Sequence, residues 1–465
     1  MIRKRTAAIV VMAVAAFMDL LDITIATIAL PSMQRSLHAT SLEVQWVLAG
    51  YSIAFATMLI TGGRLGDIFG RKKIFLLGIA GFTLASLGSA LSTSGFMLVF
   101  MRVLQGMFAG LMVPQLNASV VALYKPEERA PIWGIIGALI PLGSLTGMVL
   151  GGWLVTANIL GSSWRSVFLI NIPVGMVTLA IAAVVVPESK SKAKTQLDIL
   201  GSVIGAAGIF TLLYALSTHL GGSRFWSYVS LASAMLAGFL WQQHRRFQSK
   251  KSSLLPLRLF RERAYSLGML VDLLFSIGNG GYGLILTFFA QRALHLTALK
   301  TGLLIVPLVG ASIFTAPLVV GLSKKFGKAL IFLGGLMQAA AFLWLAQMIA
   351  AHGSSLSYWD IFSPFVLAGA GAMFAIMPLS DLTLADIAEH DAGIASGLLT
   401  TVVQIGMAIG VALAGSVFFS RVTGSTPAEV SRAAIAGFKV CIGAYLVAGL
   451  GSIILPRRRS RANVL

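Results

Sequence analysis

The stretch Gly63-Arg64-Leu65-Gly66-Asp67-Ile68-Phe69-Gly70-Arg71-Lys72-Lys73 lies between two long apolar runs, and its reading decides the fold. Glycines at 63, 66 and 70 permit a tight reversal between closely packed helices. Asp67 can pair with the adjacent cations or with a helix terminus. Arg71, Lys72 and Lys73 suit a turn held at an anionic membrane face. A topology signal alone would account for the three cations, but not for the spaced glycines or the acid. A degenerate copy, Gly321-Leu322-Ser323-Lys324-Lys325-Phe326-Gly327-Lys328, lies far downstream between two further apolar runs.

The rest of the chain agrees that these are turns between membrane spans. Of its 465 residues, 57% are hydrophobic and only 11% charged. Soluble chains carry about a quarter charged residues, so the solvent of this chain is lipid. About 20 apolar residues cross the hydrocarbon, and punctuated apolar runs fall near 7–30, 45–62, 74–91, 96–121, 132–156, 166–186, 198–218, 228–243, 265–290, 301–321, 329–350, 358–380, 393–418 and 434–455. The expectation is an all-α integral membrane protein of fourteen transmembrane helices.

A formal charge of +19 raises the question of nucleic acid, and the positions of the cations answer it. With the N-terminus inside, 26 of the 35 basic residues fall in cytoplasmic loops and tails, eight in external loops, and Arg102 within a span. This is a strong positive-inside bias; it places both termini in the cytoplasm and leaves no nucleic-acid partner. The N-terminal Arg-Lys-Arg run is not a signal peptide, because Asp19 and Asp22 interrupt the apolar stretch that follows. A lone Cys441 excludes a disulfide scaffold. The six histidines are isolated, and there is no metal-ligand spacing, P-loop or nucleophile elbow. No cofactor, metal or catalytic residue is expected. The acids Asp381, Asp386, Glu389 and Asp391 read as a solvated cytoplasmic face. Trp46, Trp164, Trp226 and Trp359, near span ends, read as an interfacial belt.

The two related turns divide the chain into an N-terminal six-helix bundle (1–190), two inserted helices with a basic connector (191–264), a C-terminal six-helix bundle (265–456) and a basic tail (457–465). Two parallel halves of this kind form a transporter, with its site between them near the midplane.

Charges within spans are functional hypotheses by default, because burying them is costly. Asp22 lies about 13 Å and Arg102 about 10 Å from the same outer face, so an ion pair can form between spans one and four. Burial disfavours an ionised carboxyl and a nearby guanidinium favours it. A pair whose spacing and water access alternate can therefore carry protons, although a fixed structural pair is the plainer reading. Asp19 shares a face with Asp22 and is either a second titrating acid or an interhelical hydrogen-bond partner. Asp272 lies in span nine, the counterpart of span one, where a structural role is the slightly favoured reading. Gly143, Gly147 and Gly151, with Gly152 beside the last, form a small-residue stripe for close helix packing. Phe17, Met18, Gln115, Asn117, Asn279, Tyr282 and Gln404 are candidate cavity residues, each also consistent with ordinary core.

The 63–73 loop resembles the cytoplasmic loop of the major facilitator superfamily. Other stretches resemble its fourteen-span drug:proton antiporter group, the EmrB/QacA type. Leu21-Asp22-Ile23-Thr24 through Leu30-Pro31 is similar to that group's first-span pattern, with Thr27 where Asn is usual. Arg102-Val103-Leu104-Gln105-Gly106 resembles the fourth-span R-x-x-QG element. Trp164, Arg165, Phe168, Asn171, Pro173 and Gly175 resemble the start of span six, and Gly393, Ser396, Gly397, Gln404, Gly406 and Gly410 resemble span thirteen. The resemblance implies the major facilitator fold and a proton-coupled exporter in a bacterial inner membrane. It also implies a small lipophilic or cationic substrate, alternating access, and a gate or seal role for the span-five glycines. Gly63, Asp67, Gly70 and Arg71 form the conformational loop, and a monomer is expected. A dedicated metabolite or natural-product exporter and an uptake symporter are the alternatives.

Overall fold

The computed structural model describes residues 2–190, 197–218, 222–249, 254, 258–387, 391–422, 424 and 426–456. The tail 457–465 and the connector's Pro256 lie outside them, as does Glu389. With no water in the bilayer core, backbone donors and acceptors must pair within the chain, and helices do so within each segment. The described residues accordingly form helices and no strand. These are α1 (Ile2–Leu37), α2 (Ser41–Phe69), α3 (Arg71–Ala90), α4 (Gly95–Leu123), α5 (Pro126–Ala157), α6 (Ser166–Leu169), α7 (Asn171–Val185), α8 (Ile199–Ser217), α9 (Gly222–Gln248), α10 (Arg263–Arg292), α11 (Ala298–Leu303), α12 (Val306–His352), α13 (Tyr358–Leu384), α14 (Ala392–Phe419) and α15 (Pro427–Gly451).

Several starts are written locally. Thr40 and Glu43 form a reciprocal capping box at α2, Ser94 accepts from Met97 N at α4, and Thr297 accepts from Lys300 N at α11. Such caps satisfy the donors that a helix start leaves unpaired.

Among the described residues, thirteen segments are long and apolar enough to cross a membrane. The expected fourteenth corresponds to α9, a 27-residue helix that packs along α8 and is more polar, ending in Gln242, Gln243, Arg245 and Arg246. The expected turn at 321–328 lies within α12, where two membrane-spanning segments, Ala298–Ser323 and Lys325–Ser355, meet at the non-helical Gly327, with φ 28° and ψ −102°. Gly70, between α2 and α3, has φ 111°. Both glycines follow a phenylalanine and precede a basic residue, so the two copies of the motif share their positive-φ glycine. A side chain at either position would be strained.

The same packing order occurs twice. In the first half α1 lies on α5 and α7, and α4 on α2 and α3; in the second, α10 lies on α14 and α15, and α12 on α13. The halves meet along α2 with α14 and α5 with α11, and α8 lies against both α2 and α14. The tryptophan belt is only partly as expected. Trp226 and Trp359 are exposed, but Trp164 is fully buried with its ring edge-on to Phe168, and Trp46 stacks on Phe210 of α8.

Candidate functional site: a buried carboxylate–guanidinium centre

Asp19 and Asp22 lie one turn apart on α1, 3% and 1% exposed, and Arg102 on α4 is fully buried. The Arg102 Nη1 donates to Asp22 Oδ2 and to Gln105 Oε1 at 2.6 Å, while its Nε donates to Val47 O at 3.1 Å. The guanidinium lies 4.2 Å above the Tyr51 ring, an additional cation–π contact. Asp22 Oδ1 accepts from Gln105 Nε2 at 2.8 Å and from Asn171 Nδ2 at 2.7 Å. Ser86 donates its hydroxyl to Phe82 O and accepts from both amides, at 2.8 and 3.3 Å. Five helices, α1, α2, α3, α4 and α7, thus converge on one ion pair.

Every partner of Asp22 is a donor, so this arrangement holds a carboxylate. A proton arriving there would displace the Arg102 bond. Asp19 is engaged differently, by the Tyr51 hydroxyl alone. One Arg102 nitrogen, Nη2, is buried without a partner. An unsatisfied donor of this kind is costly in a low-dielectric interior.

The other expected residues spread over several places. Asp272 is 7% exposed on α10 and, among the described residues, has no hydrogen-bond or ion-pair partner; it does not join the Asp22 cluster. Asp67 pairs with Arg71 at 3.0 Å, and Arg71 also donates to Ala118 O of α4 at 3.1 Å. The loop is tied to the exit of α7 as well, through Arg71 N to Ser189 O at 2.9 Å and Lys72 N to Glu188 at 3.2 Å. Gly63 lies 3.7 Å, measured from an added Cβ, from Pro114 of α4.

The α5 glycines divide between two partners. Gly143, Gly147 and Gly151 meet α1 at Leu20, Thr24 and Ile25, so this stripe packs within its own half. Gly152 alone of the four faces the other half, where an added Cβ would come 2.5 Å from Ala298 O.

Of the candidate cavity residues, Met18 is buried in a cluster with Tyr51, Phe55 and Phe82. Gln115 is fully buried against Gly66 and donates to Gly62 O at 2.8 Å, which makes it a contact of α4 with α2. Asn279 accepts from Tyr445 Oη at 2.9 Å, and the Tyr282 ring lies 5.3 Å from that of Phe342. Phe17 is half-buried beside Gly143, Gln404 is half-buried with Oε1 unpartnered, and Asn117 is exposed.

Sequence reasoning did not find Tyr51 or Ser86, and used Gln105 and Asn171 only as marks of resemblance. Gln105 was within reach of it, since it lies three residues after Arg102 and shares its helix face. Asn171 is a polar residue at the start of an apolar run. Nothing in the sequence signals Tyr51 or Ser86.

The halves are closed at one end. Gln291 Nε2 donates to Ile28 O at 2.9 Å, Arg292 Nη2 to Gln34 Oε1 at 2.7 Å, and Leu299 N to Thr156 Oγ1 at 3.1 Å. Towards the other end several glycines of α5 and α12 have open space around them. Gly134, Gly137, Gly310 and Gly321 have nothing within 4 Å of an added Cβ, and the same holds for Gly393 and Gly397 at the start of α14. Two six-helix halves that meet along α2 with α14 and α5 with α11, with a buried ion pair inside one half, have the plan of a membrane transporter of small molecules.

Comparison with known proteins agrees. Residues 12–411 match the family model of the Major Facilitator Superfamily, and the chain belongs to that family. It is 34% identical to the Streptomyces coelicolor protein named "Probable actinorhodin transporter", over 92% of this chain and 76% of that one. It is 31% identical to the tetracenomycin C resistance and export protein of Streptomyces glaucescens, over 88% and 75%. It is 30% identical to a puromycin resistance protein of Streptomyces alboniger, over 99% and 93%. Among solved structures, an auto-inhibited peptide transporter of the POT family superposes with a TM-score of 0.70 at 15% identity, over 98% of each chain, which is a likeness of fold. The chain is a multi-pass membrane transporter and not an enzyme.

Proposed function

We propose that this chain is a proton-coupled exporter of small lipophilic compounds, cationic ones included, acting as a monomer by alternating access in a bacterial cytoplasmic membrane. Residues 1–190 and 265–456 act as the two rocking bundles. The positive-inside bias puts the α2–α3 loop in the cytoplasm, so the end of α5 and α12 that carries the open glycines faces inward. Substrate enters there between the bundles.

The observation that carries the reading is the Asp22–Arg102 pair, buried and braced by Gln105 and Asn171. A proton taken from outside neutralises Asp22 and frees Arg102, and the Val47 and Tyr51 contacts of Arg102 transmit the change to α2. Asp19 and Asp272 are the further candidate acids. Each charge moved down the membrane potential supplies about 2.3 kcal/mol per 100 mV, close to two decades of concentration ratio. The Asp67–Arg71 loop ties α2 and α3 to α4 through the cycle. Gly152 seals the outer end against Ala298, and the Gly143–Gly151 stripe lets α1 and α5 move as one.

Asp22→Asn in proteoliposomes tests this. It should abolish drug-dependent proton movement while the protein remains folded and inserted; full coupling in the variant would remove Asp22 from the carrier role. Relatives named for actinorhodin, tetracenomycin C and puromycin favour a narrower second reading, a dedicated natural-product exporter. A deletion strain would then accumulate one compound class and stay indifferent to common dyes and antiseptics.

A further inference from the structure

A cavity of about 350 Å³ lies away from the Asp22 centre, at the seam where α2 and α14 bring the halves together and the inserted helices α8 and α9 close over them. Its walls include Thr57 and Ile60 of α2, Gly205 of α8, Phe239 of α9, and Thr401 and Val402 of α14. No charged residue is among its lining residues. We infer that this seam cavity is a second binding site, for neutral lipophilic molecules that carry an O–H or N–H donor.

The hydroxyls on its wall decide the ligand chemistry. Thr57 donates to Ile53 O at 2.8 Å, Thr401 to Gly397 O at 2.9 Å, and Ser266 to Phe260 O at 2.7 Å. Each has spent its only hydrogen, so what it offers a guest is lone pairs. A lipid acyl chain would strip water from those acceptors and give nothing back. A neutral aromatic alcohol or amine fills the apolar volume and supplies the missing donor. A cation is disfavoured, because Asp198, one turn before Ser202 on α8, is already held by Gln242, Gln243, the Gly201 N–H and Arg246. The volume suits a small fused-ring molecule.

The link to export rests on the reading given above; binding itself does not. The test uses the full chain in nanodiscs with a diazirine-bearing 2-naphthol as probe, and its adducts are mapped by mass spectrometry. Adducts are expected on residues 198–209 and 398–405. Unlabelled 2-naphthol should displace them at least tenfold better than naphthalene, oleate or tetraphenylphosphonium. Gly205→Leu fills the space and should remove them. Because a leucine there also presses on Phe239, Thr57→Val with Thr401→Val serves as the volume-conserving variant, and in it the advantage of 2-naphthol over naphthalene should fall to about twofold or less. Absence of these adducts, or displacement by naphthalene or oleate as effective as by 2-naphthol, overturns the assignment. Seam labelling is read in the native chain without a proton gradient, and proton coupling is read by flux, so the two are separate readouts and either can fail alone.

Discussion

Asn171 of α7 and Asp22 of α1 are 149 residues apart in the chain and joined by a 2.7 Å hydrogen bond in the buried interior. Gln105 reaches the same carboxylate oxygen from α4. The ion pair with Arg102 is therefore held by neutral amides, and those amides are oriented in turn by the Ser86 hydroxyl. Such a cluster is stable only while all its members are present. Asn171→Leu should lower stability by about 1–3 kcal/mol, the cost of an unsatisfied buried group, and slow transport. Thermal unfolding in detergent and flux in proteoliposomes check this together.

Arg102→Gln leaves Asp22 buried without its counter-charge and should cost about 3–5 kcal/mol. The double variant Asp22→Asn with Arg102→Gln should be more stable than Arg102→Gln alone, because no orphaned charge remains. A double-mutant cycle on unfolding free energies measures the coupling. Arg102→Lys should not restore function, since an ammonium cannot reproduce the planar fork that reaches Val47 O, Gln105 and Asp22.

The α5 glycines separate close packing from open space. Gly147→Ala would drive a methyl group into Thr24 Oγ1, with Leu21 O only 3.1 Å away, so α1 and α5 must move apart. Gly137→Ala meets nothing within 4 Å. Gly147→Ala should lose most transport and lower the melting temperature. Gly137→Ala should leave the melting temperature unchanged or slightly higher, as alanine favours helix.

At the α2–α3 junction, Gly70→Ala places a Cβ at φ 111° and 2.5 Å from a Glu188 carboxylate oxygen. Gly66→Ala would collide with the Gln115 side chain. Both should impair transport. Glu188→Gln in the Gly70→Ala background should recover little, because the backbone strain remains.

The inserted helices carry their own pH dependence. Burial works against the charge of Asp198, but the Gln243 and Gln242 amides, the Gly201 N–H and Arg246 outweigh it and hold its carboxyl below the usual carboxylate range. A group with a depressed folded pKa contributes stability above its unfolded value of about 3.9, and that contribution is lost as pH falls through the folded value. Hydrogen exchange in α8 and α9, taken relative to the intrinsic amide rate at each pH, should therefore be flat from neutral pH down to about 4 and rise below it. In Asp198→Asn it should be raised throughout and show no such acid step.

Sequence carries the helices, the two-halved plan and the α2–α3 loop, because apolar runs, glycine spacing and basic turns are local features. It also carries Asp22 and Arg102, since ionised groups are conspicuous in an apolar span and their helical depths can be computed. What it does not carry is direction around the helix axis. Met18 and Gln115 read as cavity residues, yet the structure turns Met18 towards Phe82 and Gln115 towards Gly62. The α5 stripe shows close packing from its spacing, but not that three glycines meet α1 and Gly152 meets Ala298. Tyr51 acts on Asp19, 32 residues away, and Ser86 on Gln105 and Asn171, 19 and 85 residues away, with nothing local to mark them. The 321–328 turn is legible from its glycines and cations as well, and the structure adds that Gly327 is the non-helical residue between the two spans it joins.

The account stands on Asp22 exchanging its Arg102 partner for a proton during turnover. Infrared difference spectroscopy of the full chain in nanodiscs, titrated from pH 9 to pH 5 with and without transported substrate, reads this directly. A protonated-carboxyl band that responds to substrate and vanishes in Asp22→Asn is the expected result. If no band assignable to Asp22 appears at any pH in either state, Asp22 remains an ion-paired carboxylate throughout and the account is contradicted.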